Sequence, residues 1–148
     1  MKNWIRVIFT LNNKFDAFSS SIDKQVDSLS SLLTVPTMKL IDSIIKLNDK
    51  KVKIINLRVL HDKMKQSLTN KEYYIVMRSA TGSSFAEIAD VIGMSKGSTY
   101  RWYQRIIARL SKLLAYYGYD EKKFDSDYND IELVARTYKK ISKLSNAS

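Results

Sequence analysis

No cysteine occurs in the 148 residues, so a disulfide framework and thiolate metal sites are both excluded. The absence fits a reducing compartment. His61 is the single histidine, which leaves metal or acid–base chemistry without its usual side chain. There is one proline, Pro36, and it leaves room for long uninterrupted helices. No segment approaches the roughly 20 apolar residues that span a bilayer. The N-terminal apolar run is interrupted by Arg6 and is followed by no small-residue cleavage site, so it does not read as a signal peptide. No phosphate-binding glycine loop or convergent carboxylate cluster is present, and an enzyme is not expected. The expectation is a soluble, cytoplasmic protein without a cofactor.

What the chain has is positive charge. Lys and Arg number 25 against 15 Asp and Glu, a formal +10 that predicts a polyanionic partner. The surplus is uneven: residues 1–67 carry 12 basic and 6 acidic residues, 68–117 carry 7 and 3, and 118–148 balance at 6 and 6. These segments also divide the pattern into a helical arm (1–67), a compact reader (68–117) and a tail (118–148). The expected fold class is all-α, with a long heptad-like helix leading into a helix-turn-helix domain.

In the arm, Trp4, Ile8, Leu11, Phe15 and Phe18 recur at three- and four-residue spacing, which predicts a helix over Asn3–Phe18. A second pattern covers Ile22–Leu33, with Ser19-Ser20-Ser21 as the junction and Thr34-Val35-Pro36-Thr37 as the following break. From there Met38, Ile41, Ile45, Val52, Ile55 and Val59 form a heptad seam with Asn48 in the one gap. Leu40, Ile44, Leu47 and Ile54 widen the stripe, so a bundle and a coil both fit. Asn48 is a register-setting amide on one reading and a solvated kink on the other. The seam predicts a homodimer or higher oligomer, unless the two preceding helices cover it. His61 reads as a surface or capping residue.

The four glycines, Gly82, Gly93, Gly97 and Gly118, all fall in the reader or at its end. Thr69 and Glu72 fit a capping box, as do Ser84 and Glu87. Gly82 and Gly93 stop the two short helices they open. Ser95 caps a third helix to about Tyr117, with Thr99, Ile106, Leu110, Leu113 and Tyr117 inward and Trp102 and Tyr103 flanking. Between Ser95 and Tyr117 there are five basic residues and no acid. That layout points to double-stranded DNA. A recognition helix meets base edges with its first turns, which assigns Lys96, Gly97, Tyr100, Arg101 and Gln104 to bases. Arg105, Arg109 and Lys112 lie further along and suit phosphates, as do the N-caps Ser84 and Ser95. A plain three-helix bundle with a solvated basic face is the alternative.

Leu68-Thr69, Glu72, Val76, Gly82, Ser84, Glu87-Ile88-Ala89, Gly93 and Ser95 through Leu110 resemble the C-terminal, promoter-reading domain of bacterial sigma factors. The resemblance implies that the helix after Ser95 reads an upstream promoter element, with Lys96, Gly97, Tyr100 and Arg101 at the family's base-contacting positions. It also implies contact with RNA polymerase. Thr99 departs from the aliphatic residue common there, and Ile106-Ile107 from a small one. The long helix running into this domain is similar to small phage regulators of the RinA and ArpU type. The function expected is a sequence-specific transcription regulator. Alternatives are a minimal alternative sigma factor, a phage packaging DNA-recognition subunit, and a helical adaptor that binds an acidic protein rather than DNA. The tail predicts an Asp-rich link, Asp125-Ser126-Asp127, and a closing helix through Ile131, Val134, Tyr138 and Ile141, with Lys139, Lys140 and Lys143 outside.

Overall fold

A computed structural model describes residues 1–32 and 37–147, with side chains placed to residue 144. Every regular element among the described residues is helical. They run α1 (Lys2–Leu11), α2 (Phe15–Ser30), α3 (Met38–Gln66), α4 (Asn70–Ala80), α5 (Phe85–Ile92), α6 (Lys96–Tyr116), α7 (Glu121–Tyr128) and α8 (Glu132–Ala147). No helix among the described residues is long and apolar enough to cross a membrane.

The sequence is apolar nearly all round α1, and a helix of that kind has to be buried. Trp4, Ile5, Val7, Ile8, Phe9 and Leu11 are all buried, and α1 packs against α3, α4, α6 and α8. Burying six such side chains is worth on the order of 10 kcal/mol gross, too much to leave α1 as a detachable arm. Its few polar residues serve the neighbours. Thr10 Oγ1 donates to the Ala80 carbonyl at 3.0 Å and Arg6 Nη2 to the Ser79 carbonyl at 3.4 Å. Those carbonyls belong to the last turn of α4, and that of Ser79 also accepts from the Gly82 N–H at 3.3 Å. One core therefore draws on all three sequence segments, from Trp4 through Leu110 to Ile141.

Several local expectations shift. The break between the first two helices falls at a 3-10 turn over Asn12–Lys14, whereas Ser19–Ser21 lies inside α2. Serine is only mildly unfavourable inside a helix, so Ser19–Ser21 continues α2 between its buried Phe15 and Ile22. The predicted limit at Leu33 and the break at Thr34–Pro36 lie outside the described residues; Thr37 caps α3, its hydroxyl accepting from the Leu40 N–H at 3.2 Å. The Asp-rich link is part of α7, which Asp120 caps. Asp125 accepts from the Trp4 indole N–H at 2.9 Å, and Trp4 stacks on Phe124 with centroids 5.2 Å apart. The Tyr128 hydroxyl donates to the Lys53 carbonyl at 3.0 Å. The tail is thus fastened to α1 and α3.

Helix α3 has two apolar faces, and the fold buries one. Ile54, Leu57, Leu60 and Met64 are in the core, with Leu40, Ile44 and Leu47 half-buried, and α2 lies along the helix. Asp23 and Asp16 of α2 pair with Lys51 and Arg58 of α3. The heptad seam is on the other side: Met38, Ile45, Val52, Ile55 and Val59 are 42–75% exposed, Asn48 is exposed and Ile41 half-buried. The N-terminal helices do not cover it. His61, expected at the surface, is buried with its ring edge-on to Phe9 at 5.1 Å.

Candidate nucleic-acid interface

Helices α4, α5 and α6 pack on one another as a three-helix unit. Both halves of the first capping box form: the Glu72 N–H donates to Thr69 Oγ1 at 3.2 Å and the Thr69 N–H to Glu72 Oε1 at 3.0 Å. At the start of α5 the hydroxyl half is present, the Glu87 N–H donating to Ser84 Oγ at 3.2 Å. Gly93 ends α5 at φ 73°, ψ 36°, a left-handed conformation that a Cβ makes costly. Its N–H and that of Met94 both donate to the Ala89 carbonyl, satisfying an end of α5 that would otherwise be orphaned. Ser95 then caps α6, its Oγ accepting from the Ser98 N–H at 3.1 Å. Two residues separate the end of α5 from that cap, the short glycine-containing connection of a helix-turn-helix.

On α6 the buried line is Thr99, Tyr103, Ile106, Leu110 and Leu114. The inward positions expected at Leu113 and Tyr117 are instead half-buried and exposed, because the line steps by four after Leu110 and so follows the 3.6-residue period. Thr99 is fully buried, and its hydroxyl donates to the Ser95 carbonyl at 2.9 Å. A satisfied threonine fills the space of a valine without an orphaned polar group.

The outer face holds every α6 residue assigned to DNA from sequence. Lys96, Gly97, Tyr100, Arg101 and Gln104 are exposed on the first turns, and Arg105, Arg109 and Lys112 on the later ones. Phe85 meets Tyr100 edge-to-face at 5.1 Å, which sets the tyrosine ring upright while leaving it 41% exposed. Arg101 Nη2 donates to Ser98 Oγ at 3.3 Å, an exposed contact it can exchange for a base. Ser84 and Ser95 are both exposed N-caps. Gly97 stands apart from the other glycines. It is helical, and an added Cβ would meet only the Arg101 guanidinium, at 3.9 Å. Nothing inside the chain requires a glycine there.

One arrangement was missed from sequence. Glu72 is buried, and beyond its capping bond its Oε2 accepts from the Trp102 indole at 3.2 Å and pairs with Arg109 Nη2 at 2.9 Å. Burial pushes this carboxyl up, but the Thr69 N–H, the Arg109 guanidinium and the indole outweigh it and hold it below the usual glutamate range. The network ties α4 to α6 and already engages the charge of Arg109. Only an acid placed three residues after a cap was visible in the sequence; its partners lie 30 or more residues away.

Among the described residues no group of three or more His, Cys, Asp or Glu side chains is placed to hold a metal ion. Compared with protein-family models, with curated proteins and with solved structures, the chain matches none.

Proposed function

We propose that the protein is a sequence-specific, duplex-DNA-binding transcription regulator of sigma-like helix-turn-helix type. The observation that carries the reading is the outer face of α6. Its five basic residues are exposed with no acid on the same helix, Arg109 being paired to Glu72, and they begin at a capped N-terminus beside a glycine with no internal reason to be there. A major groove admits one α-helix, and Arg and Gln at its leading turns are suited to guanine and adenine edges. Contact with RNA polymerase is part of this reading by resemblance.

A second copy of the chain is the proposed partner at α3. The exposed Met38, Ile45, Val52, Ile55 and Val59 keep a heptad period along the helix, and a period of that kind is matched best by itself. Such a dimer presents two recognition helices, and its target then contains paired half-sites.

Selection of bound sequences from a random duplex pool tests the function. Enrichment of a defined motif, with affinity falling steeply as salt rises, is the expected result. No enrichment, or affinity indifferent to salt, favours the adaptor reading and overturns this one.

A further inference from the structure

Beside the recognition helix lies a cleft of about 580 Å³ between the start of α1, the α4–α5 connection and the first turns of α6. Lys2 and Arg6 of α1, one turn apart, and Lys96 of α6 line it, Arg6 with one nitrogen already on the Ser79 carbonyl. Among the described residues no carboxylate lines the cleft. Tyr103 forms part of its wall; a phenol is neutral at pH 7, and burial pushes this one further up. Ser84, the cap of α5, brings that helix's N-terminal N–H groups to the rim.

We propose that this cleft holds a backbone phosphate and sugar of the bound duplex, which makes α1 part of the DNA-binding surface. The inference rests on the function proposed above and extends it to residues no helix-turn-helix pattern includes. Three features select this occupant. Cations from two separate helices line it, and Lys and Arg side chains are among the usual ligands of backbone phosphates. Lys96 and Tyr100 belong both to the cleft and to the exposed face of α6, so a strand lying on that face runs directly into it. Phe85 and Leu144 supply apolar wall suited to a deoxyribose, whereas among the described residues no Asn, Gln, Asp or Glu lines the cleft. The α1 side of the cleft, Lys2 above all, therefore grips the backbone, and it fixes the register in which α6 reads.

Lys2 is exposed, so Lys2→Gln leaves the core untouched. Anisotropy titrations of the full chain on its selected duplex, over a range of salt, give the test. One neutralised phosphate contributes about 0.9 to the log–log salt slope. Lys2→Gln should therefore lower the slope by that amount, and the affinity lost between about 50 and 200 mM salt should shrink roughly 3.5-fold. Base preference should be unchanged, and Lys2→Glu should bind more weakly still. Scanning the duplex with single methylphosphonates should find one position that weakens the parent but not Lys2→Gln. The proposal is overturned if the parent binds with a steep slope while Lys2→Gln retains both affinity and slope. It is also overturned if ATP binds the parent but not Lys2→Gln while duplex binding by the two is equal, which identifies a free-nucleotide site. A parent that binds no duplex removes the function itself, and the cleft's role with it.

Discussion

Arg109, on the α6 face expected to meet DNA, is held at 2.9 Å by Glu72, a carboxylate buried at the start of α4. A half-exposed arginine opposite a buried acid is first a structural residue, since the acid is costly to leave alone. Arg109→Ala should lower unfolding free energy by about 1–3 kcal/mol, the cost of a buried charged acceptor losing a partner. Glu72→Gln with Arg109→Ala should cost less than the sum of the two single changes, measured by urea unfolding. Additive losses would show the contact contributes nothing.

Arg105 shares the outer face, and no ion pair engages it among the described residues, so on the proposed function it is the better candidate for a phosphate contact. Arg105→Ala should weaken binding to all sequences about equally and reduce the salt slope by about 0.9. Arg101→Ala should cost about 1–3 kcal/mol on the best site and relax preference at one base pair. Identical sequence profiles for the two variants would remove the division into base and phosphate roles.

Gly97→Ala separates folding from binding. Its Cβ meets no obstruction, so the variant should be as stable as the parent or more stable, by up to about 1 kcal/mol. On the proposed function duplex affinity should nevertheless fall, because the added methyl group would stand between the helix backbone and the DNA. Thermal melts and binding titrations on the same samples check both signs. Unchanged affinity would show that Gly97 has no part in recognition.

Two buried groups give the stability a pH dependence. Burial lowers the pKa of His61 below the ordinary 6.5, against the opposing pull of Asp62. Its contribution is complete above pH 6.5 and is lost as pH falls below that value, when the unfolded chain takes up the proton first. Glu72, also held below its ordinary 4.5, adds a second loss as pH drops under 4.5. Melting temperature should be level near pH 7–8, decline from about 6.5 and fall faster below about 4.5. His61→Gln should flatten the upper decline; curves running parallel between pH 7 and 5 would assign it elsewhere.

The α3 stripe predicts the oligomeric state. Ile45→Asp with Ile55→Asp changes residues already exposed in the single chain, so folding should survive. Light scattering at tens of micromolar should find a dimer for the parent and a monomer for the variant. A monomeric parent, or a folded variant of unchanged mass, would remove both the dimer and the paired half-sites.

Much of the reader was legible because its signals are local. Thr69, Ser84 and Ser95 cap their helices through bonds spanning three residues, and Gly93 closes α5 through bonds to Ala89. The exposed half of α6 followed from periodicity alone. Fine phase did not: Leu114 rather than Leu113 turns inward, since a small difference between three- and four-residue steps accumulates along 21 residues.

Composition and spacing by themselves determined an all-helical chain, the bounds of α4, α5 and α6, and which side of α6 remains in water. Each of these depends on residues within one or two turns of each other. Tertiary structure alone decided that α1 is the centre of the core, that α3 buries Ile54 and Leu57 while leaving Ile45 and Val52 outside, and that Arg109 answers to Glu72. Lys2 likewise reaches the edge of the recognition helix only through the packing of α1 on α4 and α6. Two apolar faces on one helix look equally fit for burial until a partner is placed against one. That choice is made by contacts between residues far apart in the chain, where helical periodicity carries no information.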